Sequence, residues 1–167
     1  MGIKFGGDIG RSKGGINSQI NRRANPDYYR DLGCNVAVES IVPKHSTVLA
    51  EVVGVILGDG GITNNQLKIT LNSEADFGYD DYLCNQLTEI FKLKVGKFKR
   101  KNAKAFDIFV SGVNFVNTLK TLGLKVGNKV VQQVSVPKWI VSDPNYSRWC
   151  LRGLMDTGGG IFKNKYR

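Results

Sequence analysis

Residues 49–62 read Leu49-Ala50-Glu51-Val52-Val53-Gly54-Val55-Ile56-Leu57-Gly58-Asp59-Gly60-Gly61-Ile62, and a related run returns ninety-nine residues later as Leu151-Arg152-Gly153-Leu154-Met155-Asp156-Thr157-Gly158-Gly159-Gly160-Ile161. At that offset Gly54 falls on Gly153, and Gly60-Gly61-Ile62 falls on Gly159-Gly160-Ile161. Within each copy the small residues sit four apart, Gly54 with Gly58 and Gly153 with Thr157, so they share one helical face. Small side chains at that spacing let two helix backbones approach closely. The ends of such a pair converge, which brings Asp59 near its counterpart Gly158.

The run from Val48 to Gly58 is apolar almost all round, the mark of a helix buried on every side. Ser46 or Thr47 caps it. Asp59 closes it at the negative end of the helix dipole, where a carboxylate is disfavoured by roughly 0.3–1 kcal/mol unless a cation compensates. Carboxylate and last-turn carbonyl oxygens together suit a hard divalent cation such as Mg²⁺. The competing reading makes Asp59-Gly60 an ordinary turn dipeptide.

After the first glycine pair, Asn64-Asn65 marks a hairpin turn. Leu67, Ile69 and Leu71 then alternate with Gln66, Lys68, Thr70 and Asn72, as in a half-buried strand. Phe77, Leu83, Leu87, Ile90 and Phe91 give a helical stripe over residues 75–91. Two more strands follow, from Leu93 to Arg100 and around Phe106, Ile108 and Val110, and then a helix from Val113 to Leu122 that stops at Gly123. The predicted class is α+β: an αββαββα half-domain at 47–124 with strands in one layer and helices in the other. A linker at 125–143 leads to the opening of a second half at 144–167, where Asp143-Pro144 starts the second motif helix. Residues 1–46 form a basic, glycine- and arginine-rich arm with a short helix at Asn25–Arg30. That arm is either a grip on nucleic-acid backbone or a solvated tail.

Lysine plus arginine outnumber aspartate plus glutamate 24 to 14, giving a net charge of +10 in 167 residues. Such an excess favours a polyanionic partner, nucleic acid before an anionic membrane surface. Lys92, Lys94, Lys97, Lys99, Arg100, Lys101 and Lys104 put seven cations into thirteen residues with no acid among them. On a hairpin they either lie along phosphates or protect a sheet edge from aggregation. The polar face of Gln66, Lys68, Thr70 and Asn72 suits a major groove, which admits a two-stranded ribbon. Cys34, Cys84 and Cys150 are scattered, and His45 is the single histidine. A disulfide frame, a His/Cys zinc site and Ser-His-Asp catalysis therefore have little to work with. Neither a signal peptide nor a membrane-length apolar run is visible, so the expected location is intracellular and cytoplasmic, with no membrane partner.

The paired motifs at domain spacing, with the element order between them, resemble the LAGLIDADG homing endonucleases of the single-chain, two-motif type over about residues 47–162. The resemblance implies site-specific hydrolysis of double-stranded DNA with divalent metal, Mg²⁺ or another, bridged between the two motif carboxylates. It maps Asp59 to the catalytic and metal-binding acid, with the Gly58 carbonyl as a further ligand. Gly158 departs from the pattern, because it brings no oxygen where the second acid belongs. Asp156 matches another acidic position, but it projects about 160° away from residue 158 on a helix. Impaired cleavage, or nicking of one strand at best, is the expectation. A non-catalytic binder on the same scaffold, either a maturase acting on intron RNA or a DNA-binding regulator, is the alternative. The first motif helix needs a mate, which the chain's own second motif helix can supply. Because that second helix lacks a sheet of its own, a homodimer through the first motif or a missing C-terminal half is the further partner to expect.

Overall fold

The computed structural model describes residues 8–34, 36–76 and 78–158, which leaves Phe77 and the second glycine cluster Gly159-Gly160-Ile161 outside the described residues. The chain divides into two compact units, Met1–Val38 and Glu39–Arg167. In the first unit α1 spans Asp8–Ala24 and α2 spans Pro26–Asp31. The second helix lies where Asn25, Pro26 and Gly33 predict it, and Gly33 takes the left-handed φ of 73° that ends it. The sequence reads here as a flexible or partly helical arm, with no bounds for a helix over Asp8–Ala24. Ile16 and Ile20, one turn apart, are both exposed, so this helix forms without a core of its own beneath that face.

The second unit is α+β. Its first helix, α3 (Thr47–Asp59), begins where the Ser46 hydroxyl accepts from the Leu49 amide at 3.1 Å. Its residues from Leu49 to Ile56 are all buried, as an all-round apolar run requires. The strands β1 (Gly60–Ile62), β2 (Gln66–Asn72), β3 (Gly96–Lys99) and β4 (Ala105–Ser111) make one antiparallel sheet in the order β1-β2-β4-β3. Leu67, Ile69 and Leu71 of β2 and Ile108 and Val110 of β4 supply its buried face. Packed on that face are α3, α4 (Tyr79–Phe91) and α5 (Val113–Thr121). Leu83, Leu87 and Phe91 repeat every four residues along the buried side of α4, and the Phe91 ring meets Phe115 of α5 edge-on at 5.0 Å. Gly123, at φ 97°, turns the chain out of α5.

Within the segment read as a linker, Lys138–Val141 forms the short helix α6. Trp139 fastens it by donating its indole N–H to the Leu122 carbonyl at 3.0 Å and stacking on His45 at 4.1 Å. Asp143 then caps α7 (Pro144–Gly158), accepting from the Asn145 amide at 2.7 Å.

Helices α3 and α7 form the principal helix pair of the unit. A methyl group added to Gly54 would overlap the backbone carbonyl of Cys150, and one added to Gly153 would overlap the carbonyl of Glu51. These two glycines therefore bring backbone against backbone with nothing between. At Gly58 a methyl would come within 2.6 Å of the Thr157 hydroxyl, so the two helices stay close down to their last turns. Beside the seam Glu51 is 1 % exposed. It accepts from the Tyr82 hydroxyl of α4 at 3.0 Å, and Arg152 of α7 approaches its other oxygen at 3.6 Å.

Candidate functional site

Asp59 lies at the exposed tip of α3, and Gly60 passes directly from it into β1. An open depression of about 490 Å³ runs from Asp59 past Gly61 to Gln66, Lys68 and Thr70 on the polar face of β2. The helix tip and the strand face that the sequence singles out separately thus border one space. Loss of solvent around the Asp59 carboxyl raises its pKa above the usual carboxylate value; Lys129 opposes this and Asp76 adds to it.

Lys129 is the residue that sequence reasoning missed. Its ammonium donates to the Leu57 carbonyl at 2.9 Å and the Gly58 carbonyl at 2.6 Å, satisfying two acceptors that the end of α3 leaves open. It also supplies the positive charge that the dipole and Asp59 both call for. Burial lowers the Lys129 pKa, and Asp59 raises it in opposition. No spacing in the sequence ties this lysine to a helix tip seventy residues earlier; only the fold returns the loop to that point.

Among the described residues, the tip of α3 offers few oxygen donors to a divalent cation. Mg²⁺ takes six oxygens, one or two of them protein carboxylates, with waters and substrate phosphates making up the rest. Asp59 offers one carboxylate, the Gly58 carbonyl already faces an ammonium, and Gly158 has no side chain. Among the described residues, no three His, Cys, Asp or Glu side chains gather in a way that could hold a metal.

On the polar sheet face the side chains form a connected set. Gln66 donates to the Ser111 hydroxyl at 2.9 Å. Asp107 of β4, paired with Thr70 of β2, accepts from the Thr70 hydroxyl at 2.7 Å and from Arg100 at 2.8 and 2.9 Å, while Lys68 stands 3.4 Å away. The Arg100 guanidinium, the Thr70 hydroxyl and Lys68 together hold the Asp107 pKa down to about 2. Asp107 is legible in the sequence as an outward position between Phe106 and Ile108. Asn72 closes the strand by accepting from the amides of Glu74 and Ala75 at 2.9 and 3.1 Å.

The cationic hairpin divides between two faces. Opposite residues of paired strands share a face, and Lys97 lies opposite Ile108 while Lys99 lies opposite Phe106, both on the helix side. Lys97 binds Asp80 and Asp81 at the start of α4, each at 2.6 Å. Lys97 and Lys99 both lie over the Phe106 ring, at 5.1 and 5.7 Å. Arg100 turns instead to the polar face. Lys101 and Lys104 stand at the β3–β4 turn, with Lys104 paired to Glu74 at 2.9 Å. Lys94 borders a shallow depression with Gly96, Phe109 and Ser111. Gly54, Gly58, Gly153 and Thr157 meet at the helix seam, as described above.

Among the described residues, no helix is long and apolar enough to cross a membrane. Compared with models of known protein families and with curated proteins, the chain matches none.

Proposed function

We propose that the second unit is the DNA-reading part of a LAGLIDADG-type endonuclease in which binding is retained and strand cleavage is impaired. The observation that carries this reading is the depression joining Asp59 to Gln66, Lys68 and Thr70. It sets an acid beside a polar strand face that carries Lys68, and a major groove admits a two-stranded ribbon of this kind. The strand face reads base edges through Gln66, Thr70, Arg100 and Lys68, and the lysines of the β3–β4 turn contact phosphates. In this reading Asp59, whose pKa is raised by loss of solvent, takes the proton of a water attacking a phosphodiester, and Lys129 offsets charge beside it.

The non-catalytic reading keeps the same interface. It is favoured by Lys129 on the Gly58 carbonyl and by the bare position 158. Plasmid cleavage in Mg²⁺ by the parent and by Gly158→Asp separates the two. Weak nicking that rises in the variant supports the impaired endonuclease, whereas binding without cleavage in either protein supports the binder. Gel shifts test the shared part. With about six phosphates contacted, affinity falls roughly a thousandfold between 50 and 200 mM salt, and a flat response removes the interface.

A further inference from the structure

The loop between α5 and α6 carries two valines that join no core. Val130 and Val131 are each 76 % exposed, although the loop around them is tied down from several sides. The Gly127 amide donates to the Ile62 carbonyl at 2.9 Å, and Lys129 reaches the end of α3. The Asn128 side-chain oxygen accepts from the Val130 and Val131 amides at 2.9 and 3.2 Å. Lys125 donates to the Gln132 carbonyl at 2.7 Å, and the Val134 amide returns to the Lys129 carbonyl at 3.2 Å. The segment is a single braced turn. At its tip stand two β-branched side chains, each with few rotamers to lose.

The turn's place in the fold gives these valines a use. The Thr63 amide bonds to Gln66 of β2, so by the alternation of an antiparallel ladder Ile62 turns its carbonyl to the outer edge of β1. The loop that Ile62 holds therefore lies beyond that edge. Lys129, on the Gly58 carbonyl beside Asp59, sets its chain neighbours Val130 and Val131 close to that helix tip. With β2 in a major groove and Asp59 at a phosphate, the next surface across the backbone is the minor groove.

We propose that Val130 and Val131 form an apolar wedge that enters the minor groove of the bound duplex and partly unstacks one base step. Apolar side chains are used in this way where a protein bends DNA, and pyrimidine–purine steps yield most readily. The proposal rests on the DNA-binding reading above. Its test uses the full chain and a duplex that the protein selects from a randomised pool, probed with permanganate, which oxidises unstacked thymines. A thymine that becomes reactive on binding, and is protected again with Val130→Ser/Val131→Ser, is the expected result. The double variant should bind at least about tenfold more weakly, the burial of two valines being partly offset in the parent by the cost of unstacking. Both valines are exposed, so the variant folds as the parent does, and a gel shift at raised concentration confirms that it is bound. If the parent binds but no thymine reacts, or reactivity persists in the variant, the wedge is overturned and DNA binding stands. If no duplex is selected, both fall.

Discussion

At the seam between α3 and α7, residue identity is dictated by backbone; on the β3–β4 hairpin it is dictated by charge partners. Gly54 and Gly153 face carbonyl groups that have nowhere to move. Lys97 and Arg100, three residues apart in one cationic run, belong to opposite faces because Asp80 and Asp81 wait on one side and Asp107 on the other. A close helix contact thus leaves a rigid signature of small residues, whereas a cluster of like charges conceals two separate jobs.

The seam gives the hardest test of this contrast. Gly54→Val drives a branched side chain into the Cys150 carbonyl, and a loss of at least ~3 kcal/mol is expected in chemical denaturation. A loss below ~1 kcal/mol would mean that the backbones part easily, and the contrast would break at its rigid end. At the hairpin, Lys97→Met leaves Asp80, almost fully buried, without its ammonium and should cost about 2 kcal/mol of stability. It should leave the salt dependence of DNA affinity unchanged, while Lys101→Met at the β3–β4 turn lowers that slope by about one with little effect on stability. Equal slopes for the two variants would place both lysines against the DNA. The smallest effect concerns Asp107. Its folded pKa is depressed to about 2, so its contribution is complete above the ordinary value of 3.8 and is lost as pH falls through about 2. Urea melts at pH 5, 3 and 2 should show that decline in the parent, and Asp107→Asn should show a smaller one, Asp80 still contributing, at a cost of about 1 kcal/mol at neutral pH.

The same contrast explains what could be read from the chain. The seam positions were legible because four-residue spacing of small residues has few other uses in an apolar run. The alternation in β2 was legible because Leu67, Ile69 and Leu71 need a core. The hairpin's division was not, because β3 starts only at Gly96, and its register with β4, not its own composition, turns Phe98 outward and Lys97 inward. Lys129 was invisible for a related reason: it serves a helix end that only tertiary structure brings near. The extent of the long helix α1 escaped notice because pattern reading depends on a buried stripe, and Ile16 and Ile20 are more than half exposed.

Glu51 carries a last consequence. Its ionisable oxygens are walled in, with a tyrosine from α4 on one and an arginine from α7 on the other. Drawing away either neighbour strands a charge out of reach of water, an intermediate the chain has reason to avoid. The three helices should accordingly let go together, so that slowly exchanging amides in α3, α4 and α7 report a single opening event.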